Sequence, residues 1–171
     1  MTLDELIARE AIRDCVARVA RGEDRRDAGL LERAWWPDAR VDLGIFAGGF
    51  TEYLAFVVPG SDAIPVTTHE LAQSLIMVEA DAARVETRVT SYHRIDMGGE
   101  HRDMVLGGRY LDRFERRGGE WRIAARTMLY DWLRNDGVSV DWSQGVLGTP
   151  FLAGHYTGAA KGDHSEAFFA G

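Results

Sequence analysis

The residues with the clearest chemical potential are one acidic pair and two histidines. Glu23-Asp24 lies in the stretch ARGEDRRDAGLLERAWW, between arginines and at the end of an expected helix. In the run Val85 to Ile95 the odd positions read Val, Thr, Val, Ser, His, Ile and the even ones Glu, Arg, Thr, Tyr, Arg. Strand alternation therefore turns His93 inward with Val89 and Ile95. His69 alternates with Leu71 in the same way, while Glu70 faces out. A buried imidazole needs a polar partner to offset its desolvation. A carboxylate that binds one ring nitrogen leaves the other as a base that works near neutral pH. Each residue alone also fits a core histidine or a solvated helix end. Only elements that bring them to one pocket would make them a site.

Those elements can be read from the periodicity. Thr2 and Glu5 form a capping box. Leu3, Ile7, Ala11, Cys15 and Val19, widened by Ile12, Val16 and Ala20, predict an amphipathic helix of about twenty residues that ends near Gly22. A short second helix carries Leu30, Leu31, Ala34 and Trp35, and Trp36-Pro37-Asp38 stops it. Arg40 to Leu43 reads as a strand. Residues 44–66 are mixed, with a turn at Gly48-Gly49, a short helix over Tyr53 to Val58 and a break at Pro59-Gly60. Strands follow at about 67–79, 83–96, 102–116 and 120–132. They are separated by Glu79-Ala80-Asp81, Gly98-Gly99 and Gly118-Gly119. Gly107-Gly108 lies inside a strand and marks a bulge.

Helices followed by antiparallel strands define an α+β domain. The expected architecture is a strongly curved, mostly antiparallel sheet, cone-shaped, wrapped around the N-terminal helices and enclosing a pocket. Residues 1–134 form this domain. Residues 135–171 form an extension with Trp142, Phe151, Tyr156, Phe168 and Phe169, too aromatic for a disordered tail. It is expected to cover the pocket or a neighbouring subunit.

Composition narrows the function. The chain has 171 residues, 46% of them hydrophobic, and a net charge of -7. That suits one domain with a real core, and the acidic balance argues against nucleic-acid binding. No apolar run is long enough to span a membrane. The opening MTLDELIARE has no apolar signal region, so the expected location is cytoplasmic. Cys15, the single cysteine, sits on the apolar helix face and reads as a buried structural thiol. His101 reads as exposed beside its turn. His155 and His164 lie in the extension, where nothing fixes them. No P-loop, dinucleotide fingerprint or nucleophile elbow is present.

Several segments carry a family resemblance. Arg9 to Asp14, then Asp24-Arg25-Arg26 with Leu30-Leu31 and Trp35-Trp36-Pro37-Asp38-Ala39, form the first part. Gly107 to Arg117 with Gly119-Glu120-Trp121-Arg122-Ile123 form the second. On these residues the chain resembles the SnoaL-like branch of the nuclear transport factor 2-like superfamily, and within it the scytalone dehydratases and hexachlorocyclohexane dehydrochlorinases. The resemblance implies that Asp24 and His69 stand at the family's catalytic aspartate and histidine. It places His93 at a second pocket histidine and Arg126 near a pocket arginine. Scytalone dehydratases have a tyrosine where this chain has Glu23, and a second, water-holding tyrosine where Leu43 stands. Tyr53, Tyr92 or Tyr130 could substitute, although alternation turns Tyr92 outward. This argues against scytalone itself as the substrate.

The resemblance thus implies a cofactor-independent lyase with an Asp24–His69 dyad, His69 as base and His93 or Arg126 assisting the leaving group. Leu43, Phe56, Met104, Leu106, Tyr110 and Phe114 are candidate contacts for a small apolar, aromatic, polyketide or steroid-like substrate, or simply core. Met104, Leu106, Tyr110 and Phe114 share one strand face. An isomerase or cyclase would use the same base, and a non-catalytic binding or assembly module is a third reading. A metal held by Asp24, His69 and His93 is a minor alternative, and no cofactor is expected. The expected partners are a small-molecule substrate and further copies of the chain, as a trimer or dimer.

Overall fold

The fold is described from a computed structural model, which describes residues 1–141, 145–152, 155, 159–163 and 165–169. Trp142, Tyr156 and His164 lie outside the described residues. The elements are α1 (Leu3–Arg25), α2 (Ala28–Ala34), β1 (Trp35–Asp42), β2 (Ala47–Gly49), α3 (Phe50–Val57), β3 (Val66–Glu79), β4 (Ala82–Asp96), β5 (His101–Arg117), β6 (Glu120–Val138) and α4 (Ser165–Phe169).

Helix α1 begins at the expected residue with half of the capping box: the Thr2 hydroxyl accepts the Glu5 amide, while the Glu5 side chain pairs with Arg9. It does not stop at Gly22. It continues to Arg25 and closes with Arg26 in the left-handed region, φ 51°. The extra turn puts Glu23 and Asp24 on the helix itself. Helix α2 ends at Ala34, and Trp35 and Trp36 open β1. The Gly48-Gly49 turn is instead part of the short strand β2, paired with β1.

The six strands form one mixed sheet in the order β2-β1-β6-β5-β4-β3. The β1–β6 pair is parallel and all others are antiparallel. This is the α+β, mostly antiparallel arrangement that alternation predicts. Register shifts mark β3 between Leu71 and Ser74, and the β5–β6 pair at Gly107/Gly108. At the latter, Gly107 faces Trp132 and Gly108 faces Tyr130, so the extra residue is Asp131 on β6. Gly108 is required there: a Cβ would lie 2.1 Å from the Leu129 carbonyl oxygen.

The main core joins one face of α1 (Ala8, Ile12, Cys15, Val16, Val19) to Trp35, Phe50, Tyr53, Phe114, Trp121 and Ile123. A second apolar cluster is built on Val89, Tyr110 and Met128, with Leu43, Leu71 and Leu106 packed against it. Cys15 is fully buried, and its thiol contacts the Ala34 carbonyl at 3.3 Å. Burial pushes its pKa up to about 12, so it is inert. Among the described residues, no helix is long and apolar enough to cross a membrane.

Strand β3 is the sheet edge, and its unpaired backbone groups need partners. Helix α1 supplies them. Arg9 donates to the Ile76 carbonyl at 2.8 Å, and Asp24 accepts from the His69 amide at 3.0 Å. The C-terminal segment covers the start of the same edge, with Ala159 bridging to Val66.

Candidate active site

Asp24 and Glu23 occupy the last turn of α1. A negative side chain there opposes the helix dipole, at a cost of about 0.3–1 kcal/mol. Asp24 offsets this by binding His69 twice. Its Oδ2 accepts the backbone amide, and its Oδ1 lies 2.7 Å from ring Nδ1. A carboxylate can only accept from the ring, so Nδ1 carries the proton and Nε2 is left as a base.

Nε2 faces Glu23, whose Oε2 is 3.6 Å away. Glu23 is fixed by α3: the fully buried Tyr53 donates its hydroxyl to Glu23 Oε1 at 2.5 Å. The side chains of His69, Glu23 and Asp24 are 13%, 11% and 10% exposed, so solvent still reaches the cluster. Burial disfavours the His69 imidazolium, but the Glu23 charge and the Asp24 hydrogen bond and charge outweigh it, and its pKa is raised above 6.5. Burial, followed by the Glu23 charge, drives the Tyr53 phenol well above its ordinary range, so it stays a donor.

His93 on β4 stands opposite Met104 of β5 and opposite Thr67 of β3. Its Nδ1 is 3.1 Å from the Thr67 hydroxyl, and its ring is edge-on to His69 at 5.9 Å between centroids. Burial and then repulsion from a charged His69 lower its pKa to about 4. It is therefore neutral at ordinary pH, where its ring is a neutral hydrogen-bonding group.

Arg126 is buried on β6 and forms a two-point ion pair with Asp112, at 2.7 and 2.8 Å. Tyr110 packs 3.7 Å beneath its guanidinium. Nη1 has no hydrogen-bond partner, and its charge is felt by His69 and Tyr53.

The six candidate substrate contacts separate. Leu43, Leu106 and Tyr110 belong to the second apolar cluster, which includes Leu71 from the His69 face. Met104 lies beside His93. Phe114 is on the same β5 face but farther along, and is fully buried in the main core. Phe56 is 50% exposed and stacks on Phe46. The last two are therefore not brought to the dyad. Three surface grooves of about 390 to 460 Å³ are lined by other residues. One of them, between α1 and β3, is bounded by Leu71.

The described parts of the C-terminal segment lie against the end of α1 that carries the carboxylates. Arg25 donates to the Ala159 carbonyl at 2.9 Å and approaches Asp163 at 3.9 Å. Arg21 binds Ser165 and lies over the Phe169 ring. His101 and His155 are exposed. Among the described residues, no group of three or more His, Cys, Asp or Glu side chains is arranged to hold a metal.

Sequence reasoning missed the Glu23–Tyr53 pair as a unit, and the Thr67 contact to His93. The signal for Glu23 was its place beside Asp24. The signal for Thr67 was its position two residues before His69 on the same face.

A mixed sheet packed on N-terminal helices, with an acid from α1 meeting a histidine of the sheet edge, is an α+β arrangement. The SnoaL-like domain family matches residues 4–127, and the chain belongs to that family. Its fold is similar to that of the hexachlorocyclohexane dehydrochlorinase LinA-type3 from Novosphingobium barchaimii. The two are 22% identical, with 88% of this chain and 97% of that chain covered and a TM-score of 0.70. It is also similar to a candidate scytalone dehydratase from Novosphingobium aromaticivorans, at 20% identity, 79% and 91% coverage and a TM-score of 0.67. Kfla4162 from Kribbella flavida shares the fold at 17% identity, 74% and 92% coverage and a TM-score of 0.66. No curated protein matches the chain in sequence.

Proposed function

We propose that the protein is a cofactor-independent lyase of dehydratase type, acting on a small, largely apolar carbonyl compound. The observation that carries this reading is the 2.7 Å contact between Asp24 and His69 Nδ1, which leaves Nε2 as a base. Membership of the SnoaL-like family and structural likeness to enzymes named for dehydrochlorination and dehydration support a lyase-like or isomerase-type role.

In the proposed reaction His69 Nε2 removes a proton from the carbon next to a carbonyl. The electron pair moves onto the carbonyl oxygen as an enolate. It then returns to form the carbon–carbon double bond as the neighbouring C–O bond breaks. The departing hydroxyl takes the proton from the His69 imidazolium and leaves as water, which regenerates the base. Asp24 holds the ring and stabilises its charged form. The neutral His93 and the free Nη1 of Arg126 are available to steady the enolate. Leu43, Leu71, Leu106, Tyr110 and Met104 provide the apolar contacts, and residues 159–163, which lie against the end of α1, shield the site. General-base catalysis supplies about 10²–10⁴-fold, and placement of the substrate supplies the remainder.

The same base would serve an isomerase, in which the proton returns to a different carbon and no group is lost. Product mass separates the two. Incubation with β-hydroxy ketones should give a product lighter by one water with the wild type, and little or none with Asp24→Asn. Product of unchanged mass would favour isomerisation. Equal water loss by both proteins would remove the dyad from the mechanism.

A further inference from the structure

Glu23 has no part in the dyad, yet it is the group nearest the working nitrogen of His69. Two of its features are set by the fold. Tyr53 donates to Oε1 and so fixes the orientation of the carboxylate. Oε2 then points to His69 Nε2 from 3.6 Å, too far for a direct hydrogen bond. A third polar atom can sit about 2.8 Å from both. To serve both, that atom must donate to the carboxylate and, once Nε2 has taken a proton, accept from the imidazolium that forms. A hydroxyl oxygen does both.

We propose that Glu23, held by Tyr53, is a specificity-determining residue that receives the O–H of a substrate hydroxyl and turns its lone pair to His69, so that the site takes neutral hydroxylated substrates in preference to halides or carboxylates. This rests on the lyase reading and names the leaving group within it. As the C–O bond breaks, the oxygen takes the proton of the His69 imidazolium and becomes water. The water keeps its donated hydrogen bond to Glu23 throughout. A halide has no hydrogen to donate and builds negative charge as it leaves. A substrate carboxylate brings that charge from the start. Either would face Glu23 and Asp24 together, the two carboxylates that flank His69.

Three probes share the phenyl-bearing carbon, the methylene and the carbonyl carbon: 4-hydroxy-4-phenylbutan-2-one, its 4-chloro counterpart, and 3-hydroxy-3-phenylpropanoate, in which a carboxylate oxygen replaces the methyl group. Their dissociation constants are measured by ligand-observed NMR on the wild type, Glu23→Gln and His69→Gln. Alkene formation is followed in the same samples. The alcohol should bind the wild type at least about 10-fold more tightly than the chloride or the acid, as expected for a hydrogen bond to a charged group. Glu23→Gln should erase most of that preference, and Tyr53→Phe should weaken it. His69→Gln should keep the preference while making no alkene. A wild type that binds the alcohol no better than the chloride or acid overturns the proposal, and so does a preference unchanged in Glu23→Gln. A preference for the alcohol without alkene formation by the wild type would instead count against the lyase reading and leave the recognition by Glu23 standing.

Discussion

Asp24 binds His69 at two points, through the ring Nδ1 at 2.7 Å and through the backbone amide at 3.0 Å. The second contact is a consequence of topology. His69 lies on the outermost strand, so its outward amide has no neighbouring strand and is met by the helix instead. One carboxylate thus completes a sheet edge and orients an imidazole. Loss of Asp24 would free both the ring and the strand that carries it.

The first expectation concerns activity against pH. A base works only when deprotonated, so kcat/KM should fall as pH drops through the pKa of His69. Burial lowers that pKa, but the Glu23 and Asp24 contributions outweigh it, so the midpoint of the acid limb should lie above 6.5. Asp24→Asn should move the midpoint down and lower kcat. A midpoint below 6.5 in the wild type would show that a different group limits the rate.

Stability against pH should respond oppositely to the two histidines. The folded pKa of His93 is about 4, against 6.5 in the unfolded chain. Its contribution is therefore present above 6.5 and is lost as pH falls toward 4. His69 has a raised folded pKa, so its contribution is full below 6.5 and fades as pH rises through the folded value. Replacing His93 by Gln should accordingly cost less at pH 4.5 than at pH 7, by about 2 kcal/mol. Urea unfolding at the two pH values measures this. A cost independent of pH would mean that His93 titrates normally.

The buried pair of Arg126 and Asp112 should be intolerant of losing one partner. Both side chains are 0% exposed. Asp112→Ala would strand a guanidinium whose Nη1 already lacks a partner, and should cost about 3–5 kcal/mol in urea unfolding. A loss below about 1 kcal/mol would show that the pair is more solvated than its geometry implies.

The hairpins and the inward histidines were legible in the sequence because both rest on local rules. The separator Glu79-Ala80-Asp81 forms a turn with Ala80 at φ 53°, and Gly98-Gly99 and Gly118-Gly119 take positive φ. Alternation matches burial position by position across Val85 to Ser91 and breaks at Arg94, which the pattern turns outward but the fold buries, with His93 and Ile95 half-buried. The resemblance supplied the pairing of Asp24 with His69, which no local pattern contains. Glu23 was not legible as a partner of His69. Its role depends on α1 continuing past Gly22 and on Tyr53 arriving from α3, both tertiary effects. Phe114 and Tyr110 share a strand face, and only packing decides that one fills the core while the other sits under Arg126. Phe56 was expected at the pocket, but α3 turns it to stack on Phe46 near solvent.

The central claim, that His69 is held by Asp24 with Nε2 free to act as a base, is tested most directly by ¹⁵N NMR of the His69 ring above its pKa. The account predicts the tautomer with the proton on Nδ1 and a bare Nε2, and loss of that preference in Asp24→Asn. A proton on Nε2 in the wild type, or a ring whose tautomer is indifferent to Asp24→Asn, would contradict it.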